Sequence, residues 1–155
     1  MMETKTKLVG TRFGELEFAE TDVFTFEGGL VGLEGWRTFV VLNHKEDSPF
    51  RWLQSTEDPR LALLVVEPGQ FVKDYEFDVS DAVAKRIEMT DSAQAAVYTT
   101  VSIPAGKPRD MTLNLAGPIL VNVLSRKGIQ LVLDDPGYTV KHRAFPEADE
   151  PSKAA

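Results

Sequence analysis

The sequence predicts an all-β fold: a small, single-domain, antiparallel β-barrel-like structure with one short helix. Three observations carry this expectation. Apolar residues recur with a period of two along most of the chain, while runs with a helical period are nearly absent. Pro and Gly pairs cut the chain into short segments. The length, 155 residues, suits one domain able to bury roughly two-thirds of its unfolded surface. Many short strands at close spacing form an antiparallel sandwich or a barrel. The barrel is preferred because closure removes exposed sheet edges. The domain is expected over residues 1–145. Residues 146–155 contain no large apolar side chain and are expected to be a disordered tail.

Taken in order, Leu16 and Phe18 alternate with Glu15 and Glu17, and residues 23–26 (Val-Phe-Thr-Phe) are rich in strand formers. Residues 37–42 and 50–54 read as two further strands. The continuous apolar run at 61–66, ending before Pro68 and Gly69, reads as a strand buried on both faces. Residues 74–78 alternate cleanly, with Tyr75 and Phe77 on one face of an expected strand and Asp74, Glu76 and Asp78 on the other. The single helix is expected over 81–89, capped by Ser80 or Asp81, with Val83, Ala84 and Ile87 as its apolar stripe. Strands follow at 97–103, 111–115 and 119–123. A turn at 125–128 is expected to place Gly128 at positive φ, and strands at 129–133 and 138–140 complete the set.

Charge and composition exclude several classes of function. Asp and Glu number 24 against 17 Lys and Arg, a formal charge of −7. Such a surface repels nucleic acid and anionic lipid and attracts basic partners. The chain has no cysteine, which excludes disulfides, thiolate metal sites and thiol nucleophiles and agrees with a cytoplasmic location. No apolar run approaches the roughly 20 residues of a spanning helix, and Lys5 and Lys7 are not followed by the apolar stretch of a signal peptide, so no membrane association is expected.

Catalytic signals are weak. The two histidines, His44 and His142, sit among charged neighbours and read as exposed, and no Gly-x-Ser-x-Gly elbow exists. Carboxylates at 57–58, 74–78 and 134–135 lack the calcium-loop pattern and read as solvated turns, so no metal or cofactor is expected. Gly28, Gly29 and Gly32 precede a strand, where turn geometry explains them better than phosphate binding. A nucleic-acid-binding barrel would interleave aromatic and basic residues, whereas acids outnumber bases around residues 57–91. An interaction surface remains. Asp58, Asp74, Glu76 and Asp78 are the candidate steering charges, and Trp52 and Tyr75 the candidate apolar anchors. Alternation also allows Tyr75 and Phe77 to be core residues beside merely solvated acids.

The motifs resemble those of the flagellar assembly factor FliW family. They are Thr11-Arg12-Phe13-Gly14-Glu15, Phe26-Glu27-Gly28-Gly29-Leu30, Phe50-Arg51-Trp52-Leu53-Gln54-Ser55, Asp58-Pro59, Asp74-Tyr75-Glu76-Phe77, Met111-Thr112-Leu113-Asn114-Leu115, Gly117-Pro118-Ile119 and Arg126-Lys127-Gly128. The similarity covers about residues 8–145, with Val31, Lys73 and Gly117 among the departures from the family pattern. The resemblance implies a small barrel-like β domain and a non-enzymatic regulator of the bacterial cytoplasm. It implies two alternative partners: the RNA-binding translational repressor CsrA, whose repression of flagellin mRNA is antagonised, and flagellin itself. Asn114 occupies a motif position and suits either a partner backbone or a structural role in the sheet. Direct nucleic-acid binding is not expected, and a monomer is the default free state.

Overall fold

The structure, a computed structural model, describes residues 5–43 and 48–145, so the tail expected at 146–155 and the loop holding His44 lie outside the described residues. In chain order the elements are β1 (Lys5–Thr11), β2 (Gly14–Ala19), β3 (Phe24–Thr25), β4 (Thr38–Asn43), β5 (Phe50–Ser55), β6 (Ala62–Val66), α1 (Asp81–Arg86), β7 (Ala95–Ser102), β8 (Thr112–Leu113), β9 (Ile119–Asn122), β10 (Gly128–Gln130) and β11 (His142–Arg143).

β1 and β2 form a separate two-stranded ribbon. The main sheet runs β10-β9-β7-β6-β5-β4-β3, antiparallel throughout, with β8 beside the far end of β7 and β11 beside β8. Among the described residues no ladder closes it into a barrel. Its two ends meet at one parallel bridge, Thr25 to Lys127, where the Thr25 N–H donates to the Arg126 carbonyl at 2.8 Å. The expected barrel is therefore curled nearly shut and sealed by a single bridge.

Period-two alternation divides the sheet into two cores. Inside the curl lie Phe24, Phe26, Leu30, Phe39, Leu53, Val65, Ile119 and Val121. Phe26 and Phe39 meet edge to face at 5.8 Å between ring centroids, and each such buried side chain stabilises the fold by roughly 1.5–3 kcal/mol. On the opposite face a second cluster contains Val66, Met111, Leu113, Leu115 and Ala144, covered by Phe50, Phe71, Tyr75, Tyr138 and Phe145. Val65 and Val66 fall in different cores, as the apolar run at 61–66 predicts.

Three expectations about strands and turns need correction, and one strand was not expected at all. The ribbon strand β1 carries little apolar alternation and is not evident in the sequence. Gly128 does not take positive φ; Arg126 does, at 62°. Arg126 is held there by its guanidinium, which lies 3.8 Å from the Phe24 ring centroid and donates to the Asp22 carbonyl at 2.7 Å. Glycine is needed at 128 for space, because a Cβ there would stand 2.5 Å from Phe26 Cε2. The strand expected at 138–140 is absent: after Pro136 and Gly137 the chain turns, and the Thr139 carbonyl accepts from Leu115 and Ala116 without a ladder. The last strand is instead β11, which contains His142. The strand expected at 74–78 is also absent.

Helix α1 begins as predicted, with Ser80 Oγ accepting from the Val83 N–H at 3.2 Å. It ends at Arg86, earlier than the expected 89, because Glu88 takes φ +58°. The side chain of Asn122, buried in β9, holds that end. Its amide donates to the carbonyls of Ile87 (2.9 Å) and Glu88 (3.1 Å), while its oxygen accepts from Leu124 and Ser125. Both polar atoms of this buried side chain are satisfied, as burial requires.

Candidate functional site

The segment after β6 is shaped by three aromatic anchors. A short 3-10 turn at Pro68–Gln70 directs the Phe71 ring edge-on to Phe145. The Tyr75 hydroxyl donates to the Leu115 carbonyl at 2.6 Å, and its ring meets Tyr138 edge to face at 4.7 Å. Burial, with the neighbouring Tyr138 hydroxyl adding to it, pushes the Tyr75 phenol above its ordinary pKa, so it remains a donor. The Glu76 N–H in turn donates to Tyr138 Oη at 3.1 Å.

These bonds explain why residues 74–78 alternate like a strand without being one. Asp74 turns the chain at φ +62°. No neighbouring strand pairs with the residues beyond it, and side-chain anchors replace the ladder. The alternation of exposure nevertheless survives: Asp74, Glu76 and Asp78 face solvent, and Tyr75 and Phe77 are half-buried.

Glu76 and Asp78 form one wall of an open groove of about 800 Å³ on the outer face of β7 and β9. Its floor is Ala95, Val97 and Leu120, and Met89, just beyond α1, lines one side. The opposite wall is residues 132–135 (Val-Leu-Asp-Asp), which follow β10 and are tied back by the Leu133 N–H donating to the Ala116 carbonyl at 2.8 Å. Among the described residues four carboxylates line the groove, at Glu76, Asp78, Asp134 and Asp135, and no Lys or Arg does. None of the four forms a salt bridge among the described residues. Asp135 accepts from the Gly137 N–H at 2.8 Å, which fixes the turn.

The other predicted residues lie elsewhere. Trp52, on β5, is covered by the tip of the β1–β2 ribbon: the Arg12 guanidinium sits 4.2 Å from its ring centroid and Phe13 meets it at 5.5 Å. Asp58 is mostly buried in the turn after β5, where Oδ1 accepts from the Arg60 N–H at 2.9 Å and lies 3.6 Å from the Arg60 guanidinium. Asn114 lines a second, apolar trough of about 460 Å³ with Leu30, Val31, Leu63, Ile119, Val132 and Val140. Its side-chain oxygen is buried without a hydrogen-bond partner. The structure thus brings Tyr75, Glu76 and Asp78 together at the groove, leaves Asp74 at its approach, and separates them from Trp52, Asp58 and Asn114.

Residues 132–135, Met89, Ala95, Val97 and Leu120 are among the groove residues that sequence reasoning missed. Asp134 and Asp135 were visible only as a solvated acidic turn, and nothing in the sequence places them opposite residues 76–78. Among the described residues no group of three or more His, Asp or Glu is arranged to hold a metal ion, and no helix is long and apolar enough to cross a membrane. The groove offers apolar contact between two negatively charged walls.

Comparison with known proteins adds a family. Residues 7–144 match the model of the FliW protein family. A flagellar assembly factor FliW of Thermosipho africanus is 38% identical over 133 residues, spanning 86% of this chain and 92% of the relative. One from Caldicellulosiruptor bescii is 40% identical over 146 residues, 94% of each chain. A crystal structure of the flagellar assembly factor FliW superimposes with a TM-score of 0.85 at 33% identity, covering 92% of this chain and 99% of that one.

Proposed function

This chain belongs to the FliW family of flagellar assembly factors, and from that premise we propose that it is a non-catalytic adaptor of translational control in the bacterial cytoplasm. In this reading it binds the RNA-binding repressor CsrA and relieves repression of flagellin mRNA. It binds flagellin in exchange, requires no cofactor and is a monomer when free.

The observation that supports the reading most is the groove flanked by Glu76, Asp78, Asp134 and Asp135 on a chain of net charge −7. A protein that binds RNA presents basic residues, and a negatively charged surface steers it into encounter. The same charge repels the phosphates that compete for that partner. At physiological salt this repulsion reaches only about 8 Å. The acidic surface therefore acts on RNA only when docked near its path, or else through a shift in the repressor.

The test is exchange. Purified chain is mixed with CsrA and separately with flagellin, and flagellin is then titrated into the CsrA complex. The expected result is release of CsrA that again retards flagellin leader RNA. Stable co-elution of all three proteins, with the RNA affinity of CsrA unchanged, contradicts the mechanism. Retardation of that RNA by this chain alone would replace the adaptor with a nucleic-acid-binding barrel.

A further inference from the structure

We propose that the groove between residues 76–78 and 132–135 is a docking site for one cationic, amphipathic segment of a protein partner, gripped from both walls. This rests on the partner-binding reading above and sharpens it, because it moves the contact from one acidic face to a two-walled cleft.

Charge complementarity selects the occupant. The walls come from segments more than 50 residues apart in the chain, and each carries two carboxylates toward the same opening. None is neutralised by a basic side chain among the described residues. An anionic ligand, a nucleic acid or an anionic lipid surface meets repulsion from both sides. A ligand of charge alone leaves the floor uncovered, because the half-buried Ala95 and Val97, with Met89 beside them, offer only apolar contact. A segment with apolar side chains on one face and Lys or Arg at its flanks satisfies floor and walls together.

The cleft is also preformed. Tyr75 and Tyr138 tie the 76–78 wall to the outer core through bonds of 2.6 and 3.1 Å, and the Leu133 N–H ties the other wall to the Ala116 carbonyl. Little ordering is left to oppose binding. Val132 stands on that second wall with 72% of its surface exposed, an apolar side chain beside two aspartates. A partner bound at one acidic face leaves Val132 in water, whereas a partner gripped from both walls covers it.

The experiment uses that difference. The chain has no cysteine, so Val132→Cys supplies a unique thiol for an environment-sensitive fluorophore, with Val9→Cys on the ribbon and Val140→Cys in the trough, which Val132 also borders, as control positions. CsrA and flagellin are the two probes. At least one of them is expected to blue-shift the label at 132 and leave the labels at 9 and 140 unchanged; a shift at 140 as well would place the partner in the trough and overturn the groove proposal. In a second arm, Asp134→Lys with Asp135→Lys is expected to weaken binding of the same probe at least tenfold without changing the melting temperature by more than a few degrees. If the wild-type chain binds neither probe, the partner reading itself fails. If it binds and the label at 132 stays silent, or the reversed wall binds like wild type, the docking site lies elsewhere and the groove proposal is overturned. Should the double variant fold poorly, Val132→Ser, which alters only a solvated side chain, keeps the wall testable: affinity equal to wild type counts against the proposal.

Discussion

The acidic groove and the apolar trough lie on opposite faces of β9 and meet at one shared rim residue, Val132. Leu120 forms the floor of the groove and its neighbour Ile119 lines the trough, because successive residues of β9 point to opposite sides of the sheet. The trough is the mouth of the inner core, lined by Leu30, Leu63 and Ile119, and no charged residue lines it. The groove lies outside the curl and has four carboxylates on its walls. One sheet thus keeps its densest packing on one face and presents charge on the other. Charge sets the rate and salt dependence of an encounter, whereas apolar contact sets its lifetime.

The largest effect that would break this comparison is on stability. Ile119→Ala empties a site enclosed by the inner core and is expected to lower the unfolding free energy by ~4 kcal/mol. Val97→Ala trims a half-buried side chain at the groove floor, beside an opening that water already enters, so the cavity contribution falls away and ~1 kcal/mol is expected. Urea denaturation of the two variants decides it: equal losses would mean that the groove floor is packed as tightly as the inner core. Next in size is Asn122→Ala, which strips the Asn122 bonds from the Glu88 carbonyl and from the Leu124 and Ser125 N–H groups, leaves the Ile87 carbonyl with only the Ser125 hydroxyl, and is expected to cost about 2–3 kcal/mol. Because Met89 follows that helix end, the variant should also weaken partner binding at the groove; unchanged binding would show that the wall stands without Asn122.

A smaller effect separates the regions by charge. Asp74→Lys with Glu76→Lys is expected to slow CsrA association about tenfold at low salt, and the wild-type rate should itself fall as salt rises. Val140→Lys, in the trough, should leave that salt dependence unaltered. Stopped-flow mixing measures both, and identical behaviour of the two variants would remove the distinction. The smallest effect concerns a carboxylate that the fold has already used. Glu57 accepts from the backbone N–H groups of Arg37 (2.6 Å) and Thr38 (3.0 Å), which hold its pKa below the ordinary 4.5. Its folded pKa is depressed, so its contribution is present above the ordinary value and disappears as pH falls through the lowered one. The gap in melting temperature between wild type and Glu57→Gln is expected at pH 7 and should close in acid. Solvent screening keeps the gap small. A gap that persists below the lowered pKa would assign the effect to something other than charge.

Much of the sheet was legible because period-two alternation is a local signal. The strands near 50–54, 61–66 and 119–123 stand within a residue or so of where alternation places them. The cap at Ser80 was legible for the same reason. Residues 74–78 misled because alternating exposure has two causes, a pleated ladder or a chain pinned by buried side chains, and only the distant Leu115 and Tyr138 distinguish them. Strand β1 of the ribbon escaped notice, although the alternation of β2 was readable, because β1 pairs only with β2 and its exposed Val9 breaks the pattern. At the candidate site, one wall was readable in the acidic run. The other required knowing that the chain after β10 returns beside Ala116, which is a fact of topology.

The bridge between Thr25 and Lys127 has a mechanical meaning. Curled sheets gain hoop stiffness from a continuous ladder around their circumference, and here that circumference is interrupted at one place. Parting β3 from residues 126–127 forfeits the Thr25–Arg126 hydrogen bond, the Arg126–Asp22 hydrogen bond and the Arg126–Phe24 contact, less backbone pairing than the β4–β5 or β5–β6 ladder carries. The girth of the molecule is therefore expected to give at that joint before those ladders do.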